Sequence, residues 1–397
     1  MKKALLVTRV SGFIPQHESN NVRILQQMGY EVHYAANFDT IVYGKDNHRA
    51  HDLGLICHQI DFCRSPFSPD VRKSYRQLKE LMLKESFDLI HCHMPMTGVV
   101  ARKAAQAVRR STGRKVPVIY TAHGLHFYSG APLANWVYYP VERHYARYTD
   151  RLILINQEDY DRATHFPVRG SVEYTPGVGM NMEKYEPYAK TDWSVGSNAA
   201  SDIHEHFGIP KDHAVIVSVG ELSKRKNIVT MIDAMKELAD LKLTYLICGQ
   251  GPLEQQLKEH VRDAGVSDRV CFAGYVENVP EVLQQADCLV LPSFQEGLPV
   301  AVMEAMAVGL PVIATRIRGI TDLLVHAKGG YLVDDWEPEN YAVKVRRMFS
   351  EQEGRSKMSR EVRREQMGRW NRERIREFSL DKVDQKMREI YSSLDKD

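Results

Sequence analysis

Ser293-Phe-Gln-Glu-Gly-Leu-Pro-Val-Ala-Val-Met-Glu-Ala-Met-Ala-Val-Gly-Leu-Pro311 follows the apolar run Cys288–Leu291 after a single proline. The run is strand-sized, and the second half of the quoted stretch has a helical composition. Strand, loop and helix therefore succeed one another. Glu296 falls in the loop, and Glu304 lies about one and a half helical turns beyond Pro299, a favoured first-turn residue. Gly297 lets the amides of Gly297, Leu298 and Val300 approach a ligand at the helix start, where the dipole favours phosphate. Pro299 has no amide hydrogen to offer. One carboxylate at the helix mouth suits sugar hydroxyls, and the other suits a ribose diol. The plainer alternative is a surface glutamate plus an ordinary helical one. Glu304 sits among Val302, Met303, Ala305, Met306 and Ala307, however, and a carboxylate on so apolar a helix needs a partner.

The same alternation extends outward in both directions. Ala4–Thr8, Glu31–Ala36, Leu55–Ile60, Asp88–Cys92, Val116–Thr121 and Arg151–Ile155 read as strands, with helical patterns such as Ser19–Met28, Asp70–Leu83, Gly98–Val108 and Leu133–Tyr148 between them. From Thr175 to about Asp212 the pattern lapses into Gly, Pro, Asn, Ser and Tyr. A second series follows at Ala214–Val219, Leu243–Cys248, Val270–Phe272, Cys288–Leu291, Val312–Ala314 and Tyr331–Val333. Continuous apolar strands spaced by helices predict parallel sheets covered on both faces. The expected class is α/β: two doubly wound, Rossmann-like domains facing a cleft, followed by C-terminal helices. The boundaries expected are 1–185, a linker over 186–212, a second domain over 213–355 and a helical tail over 356–397. In such sheets ligands sit outside the carboxyl ends of the strands.

At 397 residues the chain has room for two domains. A formal charge of +2 gives no reason to expect a nucleic-acid partner, although it divides into +7 over residues 1–190 and −5 beyond. No run approaches the ~20 apolar residues that span a bilayer, and the six scattered cysteines read as buried thiols of a reducing compartment. A cytoplasmic setting is expected.

The E-x7-E spacing within Glu296-Gly-Leu-Pro and Glu304-Ala-Met-Ala resembles the signature of glycosyltransferase family 4, whose members are retaining enzymes of the GT-B fold that use nucleotide-activated sugars. Val217–Asn227 (VSVGELSKRKN), Cys248–Pro252 (CGQGP), Asp88–Pro95 (DLIHCHMP) and Tyr120–Tyr128 (YTAHGLHFY) are similar to the family's other segments. The last, with Gly130–Trp136 and Arg147–Asp150, resembles a subgroup of bacterial capsule and exopolysaccharide assembly. The resemblance implies that Glu296 binds donor-sugar hydroxyls, Glu304 the nucleotide ribose, and Lys226 the diphosphate. Gly220 and Gly251 would shape the nucleotide loops. It places His123 beside the transferred sugar and Gly12, in Ser11-Gly12-Phe13, under the diphosphate. The family's arginine after Gly220 is replaced here by Glu221, so Arg225 or Arg318 is expected to supply the second positive charge. No metal and no cofactor are implied.

Other features have competing readings. His91 and His93 flank Cys92 at a strand end; strand-end packing with one residue facing the cleft is favoured over a metal pair. Gly249-Gln-Gly251 lacks the third glycine of a dinucleotide fingerprint. Asp159-Tyr-Asp161 reads as acidic residues in a helix first turn rather than a metal motif. The stretch 101–115 carries Arg102, Lys103, Arg109, Arg110, Arg114 and Lys115 with no acid. Both a solvated helix face and a patch for anionic lipid at the inner membrane face fit it. Arg360–Arg376 interleaves with Glu and reads as a solvent-facing helix.

The expected function is transfer of a hexose or N-acetylhexosamine from a nucleoside diphosphate sugar, expected to be a UDP-sugar, to a lipid-linked or saccharide acceptor. The alternatives are a non-catalytic scaffold of the same fold, or a nucleotide-sugar epimerase or hydrolase.

Overall fold

The computed structural model describes residues 1–40, 47–63, 65, 68–190, 202–350 and 359–394. It divides into two compact units, one formed by Met1–Gly179 with Leu380–Asp397 and the other by Met180–Ser379.

The first unit holds a seven-stranded sheet: β1 (Lys2–Val10), β2 (Tyr30–Asn37), β3 (Ile56–Gln59), β4 (Leu89–His93), β5 (Val118–Ala122), β6 (Arg151–Leu154) and β7 (Ser171–Tyr174). Their order is β3-β2-β1-β4-β5-β6-β7, and every pairing is parallel. In β1, Leu5 and Val7 enter one apolar cluster while Ala4 and Leu6 enter another. Both faces are covered, which explains why the strand reads as a continuous apolar run. β7 escaped the sequence reading because Ser171-Val-Glu-Tyr174 is a short, half-buried edge strand with one aliphatic residue.

The second unit holds β8 (Ala214–Val219), β9 (Leu243–Cys248), β10 (Val270–Gly274), β11 (Cys288–Leu291), β12 (Val312–Thr315) and β13 (Gly330–Val333), ordered β10-β9-β8-β11-β12-β13 and again all parallel. Strand order reverses beside β1 in the first sheet and beside β8 in the second. Crevices therefore open at the carboxyl ends of β1/β4 and β8/β11.

The tail expected over 356–397 is not one segment. Helix Arg360–Ile375 belongs to the second unit, where Gly368 meets Gly309 so closely that a Cβ would stand 2.1 Å from the Gly309 carbonyl oxygen. Helix Leu380–Ser393 returns to the first unit and buries Val383, Met387, Ile390 and Tyr391 there. The first of these helices also departs from the solvent-facing reading. Arg363, Arg364 and Asn371 are buried; Arg364 pairs with Asp287, and the Asn371 amide donates to the carbonyls of Leu310 and Gly329. Arginine stems cover apolar surface while their heads find acceptors.

Residues 191–201 of the expected linker lie outside the described residues. Its beginning is packed on the second unit: Glu186 pairs with Arg372 at 2.9 Å, and the Lys190 amide donates to the Val308 carbonyl at 2.8 Å. All six cysteines are free thiols, with Cys92, Cys248 and Cys288 buried.

Candidate functional site

In the second unit the functional side chains rise from the loops after β8 and β11, at the reversal of strand order. The first loop runs through Gly220 and a 3-10 turn, Lys224–Lys226, which ends on Asn227 in a left-handed conformation (φ 52°). The Asn227 amide donates to the Pro292 carbonyl at 3.1 Å, and the Phe294 amide donates to the Arg225 carbonyl at 2.9 Å, so the two loops are stitched together. The result is a compact charge cluster. Lys226 Nζ donates to Glu296 Oε1 at 2.9 Å, and Arg225 donates to Glu296 Oε2 at 2.8 Å and to the Gln295 carbonyl at 3.0 Å. Arg318 Nε donates to the Glu296 carbonyl at 3.2 Å. Burial works to raise the Glu296 pKa, but the charges of Lys226 and Arg225 more than offset it and hold the group below its usual value. Glu221 is exposed and points to no partner in this cluster among the described residues, whereas both arginines named in its place reach the Glu296 residue.

Glycines make this crowding possible. A Cβ on Gly249 (φ 151°) would stand 1.8 Å from the Gly220 carbonyl oxygen, and one on Gly319 (φ 74°) would stand 2.0 Å from that of Gly297. Gly251 is pressed against the Leu222 backbone, where a Cβ would meet atoms at 2.5 to 2.8 Å. Backbone packing behind the β8 loop thus accounts for the Cys248–Pro252 turn.

Helix Val300–Val308 begins after Pro299, whose carbonyl accepts from the amides of Val302 and Met303. Every residue from Ala301 to Val308 is buried except Glu304, which is partly covered. The partner its carboxylate requires is Tyr185, whose hydroxyl donates to Glu304 Oε1 at 3.0 Å. Burial raises the Glu304 pKa, and that hydrogen bond opposes the rise. An exposed aromatic pair, Phe294 and Trp336, borders the Glu296 loop with ring centroids 5.4 Å apart. Neither Tyr185 nor this pair carried a sequence signal.

In the first unit the loops after β1, β4 and β5 bring together Phe13, Glu18, His93 and His123. Gly12 has an ordinary right-handed backbone (φ −77°), so nothing in its conformation demands glycine. His123 Nε2 lies 3.1 Å from His93 Nδ1 and 3.4 Å from Glu18 Oε1, and the Phe13 ring stands edge-on to it at 5.0 Å. Its loop is anchored by Asp159, a buried residue whose Oδ2 accepts from the Leu125 amide at 2.9 Å. Asp159 is thus a structural clamp in a helix first turn, where its amide is capped by Asn156. His91 and His93, two residues apart, project from one face with ring centroids 4.2 Å apart. Both are fully buried, in keeping with the strand-end packing expected of them. His91 bonds to the Tyr391 hydroxyl and the Thr121 hydroxyl.

Glu18, His93 and His123 offer ligand atoms within 4.8 Å of one another and so form a group able to hold an ion. A metal-bound imidazole places its second ring nitrogen as an N–H on an acceptor. His93 Nε2 is buried and has no such partner among the described residues. The donor set therefore fits a hydrogen-bonded network better than a metal centre.

Arg102 corrects the reading of 101–115 as six surface cations. It is buried, donates to Glu142 at 2.7 Å and lies 4.1 Å from the Tyr120 ring centroid. Arg114 donates to the Ser86 carbonyl. Lys103, Arg110, Arg114 and Lys115 are exposed.

Known proteins match both halves of this architecture. Residues 200–365 fit the family Glycosyl transferases group 1, and residues 19–176 fit the Glycosyl transferase 4-like domain. EpsD of Bacillus subtilis (strain 168), named as a member of the glycosyltransferases, is 34% identical over 372 residues, 93% of this chain and 90% of that protein. The chain belongs to the group 1 glycosyltransferases. The glycosyltransferase is 30% identical, over 74% of its length and 72% of the other, to the Escherichia coli UDP-Gal:alpha-D-GlcNAc-diphosphoundecaprenol alpha-1,3-galactosyltransferase. Its fold is that of Anabaena HepE, solved in complex with UDP and glucose, with a TM-score of 0.73 at 17% identity over 99% of this chain and 100% of that one. The glycosyltransferase is thus a sugar-transferring enzyme of GT-B fold, related to those of bacterial capsule and exopolysaccharide biosynthesis. Its chemistry is transfer from a nucleotide-activated donor to a saccharide or lipid-linked acceptor. No described helix is long and apolar enough to cross a membrane.

Proposed function

We propose that this glycosyltransferase moves a hexose or N-acetylhexosamine from a UDP-sugar, with retained anomeric configuration, to a polyprenyl diphosphate-linked saccharide during cell-surface polysaccharide assembly. The observation that carries the reading is the Lys226–Glu296–Arg225 cluster at the reversal of strand order in the second sheet. The donor named for the Escherichia coli relative and the UDP bound by HepE support a uridine nucleotide.

The chemical difficulty is charge. As the anomeric C–O bond breaks, the diphosphate gains negative charge while the sugar becomes oxocarbenium-like. Lys226, helped by Arg225 or Arg318, stabilises the leaving diphosphate, and the amides of Gly297, Leu298 and Val300 add dipoles at the helix start. Glu296 binds sugar hydroxyls, Glu304 the ribose diol, and His123 orients the transferred sugar. The bond from the acceptor oxygen forms on the face the diphosphate leaves, and the acceptor proton passes to a diphosphate oxygen. No protein nucleophile or base is assigned.

A lipid-linked acceptor accords with exposed apolar side chains of the first unit. Leu133 is 90% and Val137 63% exposed, with Trp136 and Val141 beside them. Val141 and Tyr138 also line a cavity of about 440 Å³ with Arg9, Met94, Met96 and His126. Together with the exposed cations of 101–115, these side chains would place the enzyme against anionic lipid.

The test is to supply UDP-glucose, UDP-galactose and UDP-N-acetylglucosamine with polyprenyl diphosphate-linked sugars, and to measure UDP release and product anomers. Release that requires acceptor and gives an axial linkage from an α-linked donor supports the reading. Donor breakdown without acceptor indicates a hydrolase, and failure of every uridine donor to react or to raise thermal stability favours a scaffold.

A further inference from the structure

Glu18 is buried in the first unit among groups that scarcely compensate it. One carboxylate oxygen accepts from the Asn21 side-chain amide, and the other faces His123 Nε2 at 3.4 Å and His93 Nδ1 at 3.8 Å. His93 Nδ1 is itself 3.1 Å from His123 Nε2. A buried carboxyl is costly, and apolar replacements of similar volume are often better tolerated. Its placement against one nitrogen of one ring calls for a reason beyond packing.

The hydrogen-bond inventory supplies one. His93 Nδ1 and the Glu18 carboxyl both converge on His123 Nε2. If His93 donates from Nδ1, its Nε2 is a bare acceptor, which suits an atom that is buried and without a partner among the described residues. His123 Nε2 then accepts, and the ring carries its proton on Nδ1. Phe13, edge-on at 5.0 Å, and the His93 ring, stacked at 5.4 Å, fix the plane.

We propose that Glu18 and His93 are positioning residues that hold His123 as the Nδ1–H tautomer, so that its ring offers a donor to the transferred sugar. The proposal rests on the reading that His123 touches that sugar. With its own proton in place, Glu18 at 3.4 Å is the weaker, second donor of a three-centre contact on the one Nε2 lone pair that His93 already engages. Once ionised it favours the His123 proton on Nε2. The ring gives up its Nδ1 proton and takes one on Nε2 by exchange with solvent, His93 shifts its own proton from Nδ1 to Nε2 so that its Nδ1 accepts, and the polarity of the ring is reversed. Burial raises the Glu18 carboxyl to about 8, with the Asn21 hydrogen bond opposing, so the reversal belongs to the alkaline side of neutrality. The titratable groups around it are His17 from helix Phe13–His17, with Arg49 beside it, His91 and His93 from β4, His123 after β5, and Tyr391 from the returning helix.

The experiment compares Glu18→Gln, Glu18→Leu and His123→Ala in the full chain, using donor-dependent UDP release across pH 5–9 and nitrogen-15 spectra of the histidines. In the unsubstituted protein kcat should fall along an alkaline limb as His123 Nε2 gains a proton. Glu18→Gln, whose amide donates at every pH, should abolish the limb and retain most of kcat. Glu18→Leu should lower kcat by about tenfold to a hundredfold with donor KM little changed. Wild-type kcat and an unaltered pH profile in both Glu18 variants would overturn the proposal. So would stoichiometric zinc in the purified protein that is lost with Glu18→Gln. Full activity in His123→Ala would instead remove the underlying reading of His123, and the two failures are thereby distinct.

Discussion

Lys226 Nζ and Glu296 Oε1 stand 2.9 Å apart on loops from different strands, with both side chains nearly buried. Each is thus held at a fixed position before any ligand arrives. Arg225, with a half-exposed side chain, closes the other side of the carboxylate. Such pre-organisation suits a site that must meet developing charge without rearranging.

Lys226→Ala and Glu296→Ala should each lower UDP release by at least about a hundredfold while circular dichroism shows a folded chain. Lys226→Ala should also destabilise the protein, because Glu296 would lose its buried countercharge and keep the half-exposed Arg225 in its place. Near-normal turnover in both variants would sink the assignment.

Arg225 and Arg318 separate by what they touch. Arg225 contacts the Glu296 carboxylate and is solvent-accessible, so Arg225→Ala should reduce kcat with little change in melting temperature. Arg318 is buried against the Glu296 carbonyl, so Arg318→Ala should reduce both. Thermal unfolding beside steady-state kinetics checks the pair.

Tyr185 occupies Glu304 Oε1. If Glu304 takes a ribose diol, Glu304→Ala should weaken UDP binding by about tenfold or more, which is ~1.4 kcal/mol. Tyr185→Phe removes the competing donor and should leave UDP affinity equal or tighter. Calorimetry on both variants decides, and a loss in Tyr185→Phe as large as in Glu304→Ala would argue that the tyrosine itself contacts the nucleotide.

Gly319→Ala touches no substrate group, yet its Cβ would strike the Gly297 carbonyl at 2.0 Å in a left-handed backbone conformation. We expect a loss of stability on the order of 1–3 kcal/mol and a collapse of donor binding through displacement of the Glu296 loop. Urea titration and UDP binding test the two effects separately.

The first unit should show a stability optimum near neutral pH. Burial lowers His17 to about 4 and His91 and His123 to about 3, and holds His93 well down. The unfolded chain therefore binds more protons below about 6.5, and stability falls as pH drops through that window toward 4. Glu18 acts oppositely. It keeps its proton when folded up to about 8 but loses it near 4.5 when unfolded, so its contribution declines as pH rises between those values. Urea midpoints from pH 4 to 9 should trace this curve, and Glu18→Gln should flatten the side above 6.5.

Much of the fold was readable because parallel strands buried on both faces must be apolar throughout. Ala214–Val219 and Leu243–Cys248 match the structure residue for residue. The Glu296 loop was readable for a related reason: its Glu, Gly and Pro interrupt an apolar pattern where a helix must start. Tyr185 and Glu18 were not readable, since each meets its partner, Glu304 or His123, across more than a hundred residues. Arg102 looked like one of six surface cations, because sequence alone does not reveal that Glu142 is carried to its buried face.

Sequence by itself determined the two all-parallel sheets, their helices and the family, because periodicity and loop chemistry are local properties of the chain. Tertiary structure alone decided which cations surround Glu296, which hydroxyl meets Glu304, and that the last helix crosses back to the first unit. Those outcomes depend on where distant segments come to rest, and the energy of a buried charge is set by the neighbours it finds there.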